Sequence, residues 1–84
     1  MTSTTQRIAA KVRGVSAERR LTQQGIADAL ELSRTSVVER INGRVPFTAT
    51  EILILARTLN VQVGRFFPTV EEMLLDEPEM AVAS

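Results

Sequence analysis

The sequence predicts an all-α fold, a compact bundle of about five short helices followed by an acidic C-terminal tail. Apolar residues recur at helical spacing over short segments, and residues that favour helix caps or turns separate these segments. The length of 84 residues allows one small domain. A hydrophobic share of 44% and a charged share of 24% are ordinary for a globular protein, so a packed core is expected.

The first helix follows a polar start at residues 2–5. Ile8, Val12 and Val15 recur at i, i+4 and i+7, the spacing of one helix face. Gly14 weakens this helix, and its end near residues 19–20 is poorly marked.

The second and third helices each begin at a hydroxyl residue. Thr22 is a good N-cap for a helix of about eight residues, and Ser33 is a good N-cap for the next helix. Asn42 and Gly43 end the third helix, because both residues tolerate a left-handed backbone. The apolar positions that these helices bury are Ile26, Ala27, Leu30, Val37 and Ile41.

The fourth helix has the clearest boundaries in the chain. Thr48 and Glu51 form a capping box at its start, and Asn60 is a plausible end cap. A last short helix, roughly 63–67, is closed by Pro68.

Two short capped helices joined by a turn of about three residues have the dimensions of a helix-turn-helix. In residues 21–41, Ala27 is small where the second and third helices must cross closely, and Leu32 can fill the space in the turn. This leaves the polar residues at the start of the third helix facing outward.

The residue inventory excludes most catalytic and metal chemistry. The chain has no Cys, His, Trp or Tyr, so it offers no disulfide, no Cys or His metal site, and no His–Ser or Cys–His nucleophilic pair. We therefore expect no enzyme activity, no metal and no other cofactor. No apolar run approaches the roughly 18 residues of a membrane span and no signal-peptide pattern opens the chain, which predicts a cytoplasmic protein.

A net charge of zero combines two unlike parts. Residues 1–67 hold all ten cations and only five acids, whereas residues 68–84 hold five acids and no cation. We interpret residues 1–68 as a basic domain and residues 69–84 as an acidic tail. A basic domain suggests a polyanionic partner, although a solvated basic surface would show the same excess.

Taken in order, these residues resemble the lambda-repressor-like family, the Cro/cI-type (XRE-family) helix-turn-helix regulators of phages and bacteria. The resemblance covers roughly Ile8 to Phe67. It depends on an ordered series at fitting spacing, namely Leu21-Thr22-Gln23, Ile26-Ala27, Leu30, Leu32-Ser33-Arg34, Val37, Asn42-Gly43-Arg44, Pro46, Leu55-Ala56, Leu59-Asn60-Val61 and Phe66-Phe67. Arg20 and Glu31 depart from it where the family often has glycine, and Gly25 departs from it where the family commonly has a larger polar residue.

The resemblance implies contacts to the DNA backbone on both sides of the third helix. Gln23 lies at the start of the second helix, where N–H groups and the helix dipole favour a phosphate. Asn42 and Arg44 follow the third helix where family members touch the backbone. Arg57 and Arg65 are expected to be solvated. Three further cations either extend the same basic face or are simply solvated, namely Arg13, Arg19 and Arg20.

The implied recognition helix begins with Arg34 and Thr35, and family members place this helix in the major groove. An arginine can donate two hydrogen bonds to guanine, and the threonine methyl suits the thymine methyl. Arg34 could instead reach a phosphate, which carries no sequence information.

Ser36 and Glu39 complete the candidate base-reading set. Glu39 lies four residues after Thr35 and could accept from cytosine N4. It could equally pair within the protein, with Arg40 or Arg44.

The function implied is that of a sequence-specific double-stranded DNA-binding transcriptional regulator. We interpret it as a phage or prophage immunity-type repressor that occludes a promoter, in a bacterial cell or a phage-infected host. An antitoxin, or another protein-interaction module with secondary autoregulatory DNA binding, is the alternative, since the acidic tail could neutralise a partner. A chain this short has no room for a separate ligand-sensing domain, and we therefore expect no small-molecule ligand. We also expect no membrane partner.

A single helix-turn-helix reads only a few base pairs, so we expect a homodimer, at least on DNA. Apolar residues near the C-terminus exceed what a frayed tail would carry and could form the dimer surface or cover the core. They are Phe66, Phe67, Val70, Met73, Leu74 and Leu75.

Overall fold

The computed structural model describes residues 2–76, which contain helices and turns but no strand. The elements in this range are α1 (Thr4–Glu18), α2 (Gln23–Leu30), α3 (Arg34–Ile41), α4 (Ala49–Leu59), a 3₁₀ turn (Val63–Phe66) and α5 (Val70–Asp76). The predicted all-α class is confirmed. None of these described helices is both long enough and apolar enough to cross a membrane.

Three helices begin at the residues that the sequence predicts. Thr22, Ser33 and Thr48 are the N-caps of α2, α3 and α4, and each hydroxyl accepts from the N–H three residues later. At α4, Glu51 Oε1 also accepts from the Thr48 N–H at 2.9 Å, which completes the capping box. Each helix start is therefore set by side chains within three residues of it.

Helix α1 begins earlier than its apolar stripe implies. Ser3 Oγ accepts from the Gln6 N–H at 3.1 Å, and Gln6 Oε1 accepts from the Ser3 N–H at 3.2 Å. This second capping box starts the helix at Thr4, and the helix then continues through Gly14 to Glu18.

The two residues that stand where the family often has glycine do adopt the left-handed conformation. Arg20 has φ 59° and Glu31 has φ 56°, as does Asn60 at 55°, the C-cap of α4. Gly25 has a steric explanation, because a Cβ at this position would lie 2.6 Å from Leu21 Cδ1. Leu21 therefore occupies the space that a larger residue at position 25 would need.

The core lies where α2 packs against α3 and α4, while α1 packs against α3 and the 3₁₀ turn. Phe66 is fully buried and Phe67 is 43% exposed, so only the first residue of the pair anchors the core. The buried cluster consists of Val12, Val15, Ile26, Ala27, Leu30, Val37, Ile41, Ile52, Leu55, Ala56, Leu59 and Phe66.

Helix α5 is held against α1 by ion pairs. Glu72 lies 2.8 Å from Arg7 and 3.4 Å from Lys11, and it accepts from the Thr69 N–H at 3.1 Å. The Thr69 N–H, followed by Lys11, lowers the pKa of the Glu72 carboxyl. Glu72 of the predicted tail is thus paired with α1, whereas residues 77–84 lie outside the described residues.

A second ion pair joins the end of α1 to the 3₁₀ turn. Arg65 donates to both carboxylate oxygens of Glu18, at 2.8 and 3.0 Å. This bidentate contact lowers the pKa of Glu18 and raises that of Arg65. Arg65 is exposed to solvent, as expected, and the folded chain also brings Glu18 within its reach.

Candidate nucleic-acid interface

The start of α3 presents its first side chains to solvent. Ser33 caps the helix by accepting from the Ser36 N–H at 3.1 Å. The following Arg34 and Thr35 are both exposed, as a residue that contacts a partner must be. The outward placement expected for the start of the third helix is therefore present.

Arg34 joins the start of α3 to the start of α2. Its Nη2 donates to Gln23 Oε1 at 3.2 Å, and its Nη1 lies 3.5 Å from Gln24 Oε1. Gln24 in turn donates to Asp28 Oδ1 at 2.9 Å. Arg34 and Gln23 are thus adjacent in the fold, and Gln24 is a neighbour that the sequence reasoning did not name.

Ser36 and Glu39 are both half-buried. Ser36 Oγ accepts from Ser33 Oγ at 3.1 Å, so this hydroxyl belongs to the cap of α3. Glu39 Oε1 lies 3.4 Å from Arg44 Nη1, which identifies Arg44 as the partner that the sequence left open.

Arg40, the other partner considered for Glu39, points elsewhere. It donates to Glu51 Oε1 at 3.0 Å and to the Ser36 carbonyl at 3.2 Å. Because the pair is mostly buried, Arg40 ties α3 to the start of α4 and is not part of the exposed face.

The C-terminal end of α3 is held by α1. Arg13 Nη1 donates to the Ile41 carbonyl at 2.5 Å, which satisfies one of the carbonyls left at the helix end. Asn42 is exposed and acts as the C-cap, and Gly43 has φ 77° with Gln6 close by. Arg44 is exposed after the turn. Arg13 therefore lies beside the end of α3, close to Asn42.

The remaining candidate cations lie in the turn between α1 and α2. Arg19 is the C-cap of α1 and Arg20 follows it, and both are exposed. Neither is brought into the contact that joins Gln23 to Arg34. Within residues 2–76 no group of three or more Asp or Glu side chains is placed to hold a metal ion.

Comparison with known proteins also identifies a helix-turn-helix in this chain. A helix-turn-helix family model (HTH_3) matches residues 11–66. No curated protein matches the chain by sequence. The similar solved structures are 18–22% identical to this chain, and at that level structural likeness shows the fold alone.

Three solved structures share the fold. The restriction-modification controller protein C.AhdI from Aeromonas hydrophila is 22% identical, with a TM-score of 0.67 over 75% of this chain and 96% of that one. A hypothetical transcription factor, NHTF, from Neisseria is 20% identical, with a TM-score of 0.70 over 87% and 84%. The clp gene regulator ClgR from Corynebacterium glutamicum is 18% identical, with a TM-score of 0.72 over 96% and 87%. Because the family model covers two-thirds of the chain, the chain belongs to the helix-turn-helix family of DNA-binding transcriptional regulators.

Proposed function

We propose that the protein binds a specific double-stranded DNA sequence, with α3 in the major groove, and represses transcription by occluding a promoter. The observation that carries this proposal is the junction of α2 and α3, where exposed Arg34 is held beside Gln23. Arg34 and Thr35 read bases, and the Arg34 guanidinium can exchange its glutamine contacts for the acceptors of guanine. Ser36 and Glu39 flank them as further base-reading candidates.

The DNA backbone is held on both sides of α3. Gln23 at the start of α2 and Asn42 with Arg44 after α3 contact phosphates. The Glu39–Arg44 pair is open to solvent on the Arg44 side and contributes little by itself, so Arg44 can leave it for a phosphate. Arg13, Arg19 and Arg20 are the further candidates for phosphate contacts. Because the proposed partner is DNA, we also propose that the protein acts in the cytoplasm.

The salt dependence of DNA binding tests this assignment. Affinity should fall linearly on a log–log plot against salt, with a slope of roughly −0.9 per phosphate neutralised. An absence of duplex binding at low salt would refute the DNA-binding proposal.

Two alanine variants separate base reading from backbone contact. Arg34→Ala should cost about 1–3 kcal/mol on the preferred site and relax discrimination at one base pair. Arg44→Ala should weaken all sequences similarly and reduce the salt slope by about 1. If Arg34→Ala weakens specific and random DNA equally, Arg34 does not read a base.

We further propose that the repressed promoter belongs to a phage or prophage immunity system. Fragments selected from a random DNA library give the operator, which is then located in the source genome. An operator in a divergent promoter near an integrase gene would support the proposal. An operator beside restriction-modification genes would contradict it and match the role named for C.AhdI.

Homodimerisation on DNA uses a surface that we name the C-terminal apolar surface: Val63, Phe67, Val70 and Leu74, exposed by 37%, 43%, 72% and 52%. Val70 and Leu74 are four residues apart on α5, hence on one face. Of the predicted dimer residues, Phe66 is excluded because it is fully buried, Met73 is half-buried, and the Leu75 side chain is outside the described part.

Charge substitutions test this surface. Val70→Asp should weaken self-association and cooperative operator binding, because it places a charge in an apolar interface. Leu53→Asp is the matched control, since Leu53 is 58% exposed on α4 and outside the surface. Sedimentation of the full chain, free and on its operator, gives the oligomeric state. A full-length protein that is monomeric in both conditions would refute the dimer.

A further inference from the structure

Helix α3 is joined to α4 by a mostly buried ion pair. Arg40 Nε donates to Glu51 Oε1 at 3.0 Å, and the two side chains are only 17% and 13% exposed. Helix α3 packs on α2 and α1, whereas α4 packs on α2 and the 3₁₀ turn. The Arg40–Glu51 contact therefore links directly two helices that share α2 as a packing partner.

Each residue of the pair also holds a backbone group. Arg40 Nη1 donates to the Ser36 carbonyl at 3.2 Å, one turn earlier on α3. Glu51 Oε1 also accepts from the Thr48 N–H at 2.9 Å, where the loop that follows α3 enters α4. One carboxylate oxygen thus connects, through Arg40, the first turn of α3 to the loop that carries Arg44.

The burial of this pair points to a geometric role. Two charges taken out of water lose their hydration, and apolar residues in the same place are often as stable or more stable. An apolar contact is non-directional, whereas a guanidinium donates its N–H groups in a fixed fork. Arg40 therefore restricts how α3 can rotate or slide against α4.

We propose that Arg40 and Glu51 are positioning residues for base reading by α3, an inference that rests on the proposed function. Side chains that recognise a partner must be held within about 0.5 Å of the productive geometry by the residues that support them. With the pair intact, Arg34 at the start of α3 reaches a base edge while Arg44, after the helix, reaches a phosphate. Without the pair, α3 shifts against the loop and the two contacts are not made together.

Loss of the pair should lower sequence discrimination more than general affinity for DNA. A variant that is only partly folded binds operator and random DNA more weakly by the same factor, because the competent fraction falls equally for both. A misplaced base contact weakens operator binding alone, by about tenfold. The salt slope on random DNA should not change, because neither residue of the mostly buried pair contacts a phosphate.

Two single variants and their combination test the pair. Arg40→Met removes the guanidinium, and Glu51→Gln removes the charge while a glutamine still serves the capping box. Each single variant leaves one mostly buried charge without its partner and should lose stability, whereas the double variant should recover most of it. The ratio of operator to random-DNA affinity should fall about tenfold in the double variant, as in Arg40→Met alone. Recovery of this ratio together with stability would overturn the proposal, since the pair would then act on stability alone.

Glu18→Gln is the matched control, because it removes a charge from the Arg65 pair between α1 and the 3₁₀ turn. It should leave the ratio of operator to random-DNA affinity unchanged, and an equal loss there would show that the effect is not special to α3. A salt slope that falls by about 1 in Arg40→Met would make Arg40 a phosphate contact and would also overturn the positioning role.

The placement of α3 is also measured without DNA. Residual dipolar couplings of the N–H groups in the full chain give the orientation of α3 relative to α2 and α4. We expect these couplings to change in the double variant, and unchanged couplings would contradict the proposal. A wild type that binds no duplex DNA at low salt would overturn the proposed function, and base reading with it. A wild type that prefers its operator, with a double variant that keeps the same preference, would overturn the positioning role alone.

Discussion

Replacing Gly14 by alanine should stabilise the protein, because no neighbouring atom occupies the space of the added methyl group. Gly14 lies inside α1, and a Cβ built there meets no atom within 4 Å. Glycine in a helix interior is less favourable than alanine by about 0.8–1.0 kcal/mol, since the glycine backbone loses more entropy on folding. The full propensity difference should therefore appear as a higher free energy of unfolding.

Thermal and urea unfolding followed by circular dichroism measure this gain. About 1 kcal/mol corresponds to a rise in Tm of about 4–8 °C for a domain of this size. The urea midpoint should rise without a change in the m-value, because the surface exposed on unfolding stays the same. Measurements at two protein concentrations show whether the substitution also alters self-association.

Gly25→Ala is the matched control on α2. A Cβ there would lie 2.6 Å from Leu21 Cδ1 and 3.3 Å from Leu21 Cγ, so the leucine must rotate away from the core. An off-rotamer side chain costs about 0.5–1.5 kcal/mol, which offsets the helix propensity. We expect no net stabilisation. If Gly25→Ala stabilises as much as Gly14→Ala, or if Gly14→Ala does not stabilise, the steric reasoning is refuted.

Three other predictions concern strain, packing and pH. Arg20→Gly and Glu31→Gly should each raise the free energy of unfolding in urea by about 0.5–1 kcal/mol, because both residues have positive φ. A loss of stability in these variants would show that the left-handed backbone is not strained. Phe66→Ala should destabilise by about 3–5 kcal/mol and Phe67→Ala by less than half of that, since only Phe66 is fully buried; equal losses would contradict this packing. The pKa of Glu72 is lowered in the folded state. The contribution of its carboxylate to the free energy of unfolding is therefore present above about pH 4.3, the ordinary glutamate value, and is lost as the pH falls through the lowered pKa. The stability difference between the wild type and Glu72→Gln should therefore shrink from pH 6 to pH 3, and a constant difference would show that Glu72 contributes through packing alone.

The starts of α2, α3 and α4 could be read from the sequence because they are set locally. Thr22, Ser33 and Thr48 cap N–H groups only three residues away, so the residue type and its spacing determine where each helix starts. Ser3 and Gln6 obey the same rule, although the polar start hid the capping box within a run of hydroxyl residues. The exposed start of α3 followed from the same local pattern.

The partners of side chains far apart in sequence were decided by the tertiary structure. Arg34 meets Gln23 eleven residues away, Arg13 reaches the carbonyl of Ile41, and Arg65 pairs with Glu18 across 47 residues. Such contacts depend on how the helices cross, and neither periodicity nor capping carries that information.

The sequence by itself determined the all-α class, the capped helix-turn-helix and the exposure of Arg34 and Thr35, because hydrophobic spacing and caps act within a few residues. Only the tertiary structure chose Arg44 over Arg40 as the partner of Glu39, and Phe66 over Phe67 as the core anchor. It alone showed how α3 is tied to α4. The physical reason is that burial and pairing depend on the distances between helices, which exist only once the chain has packed.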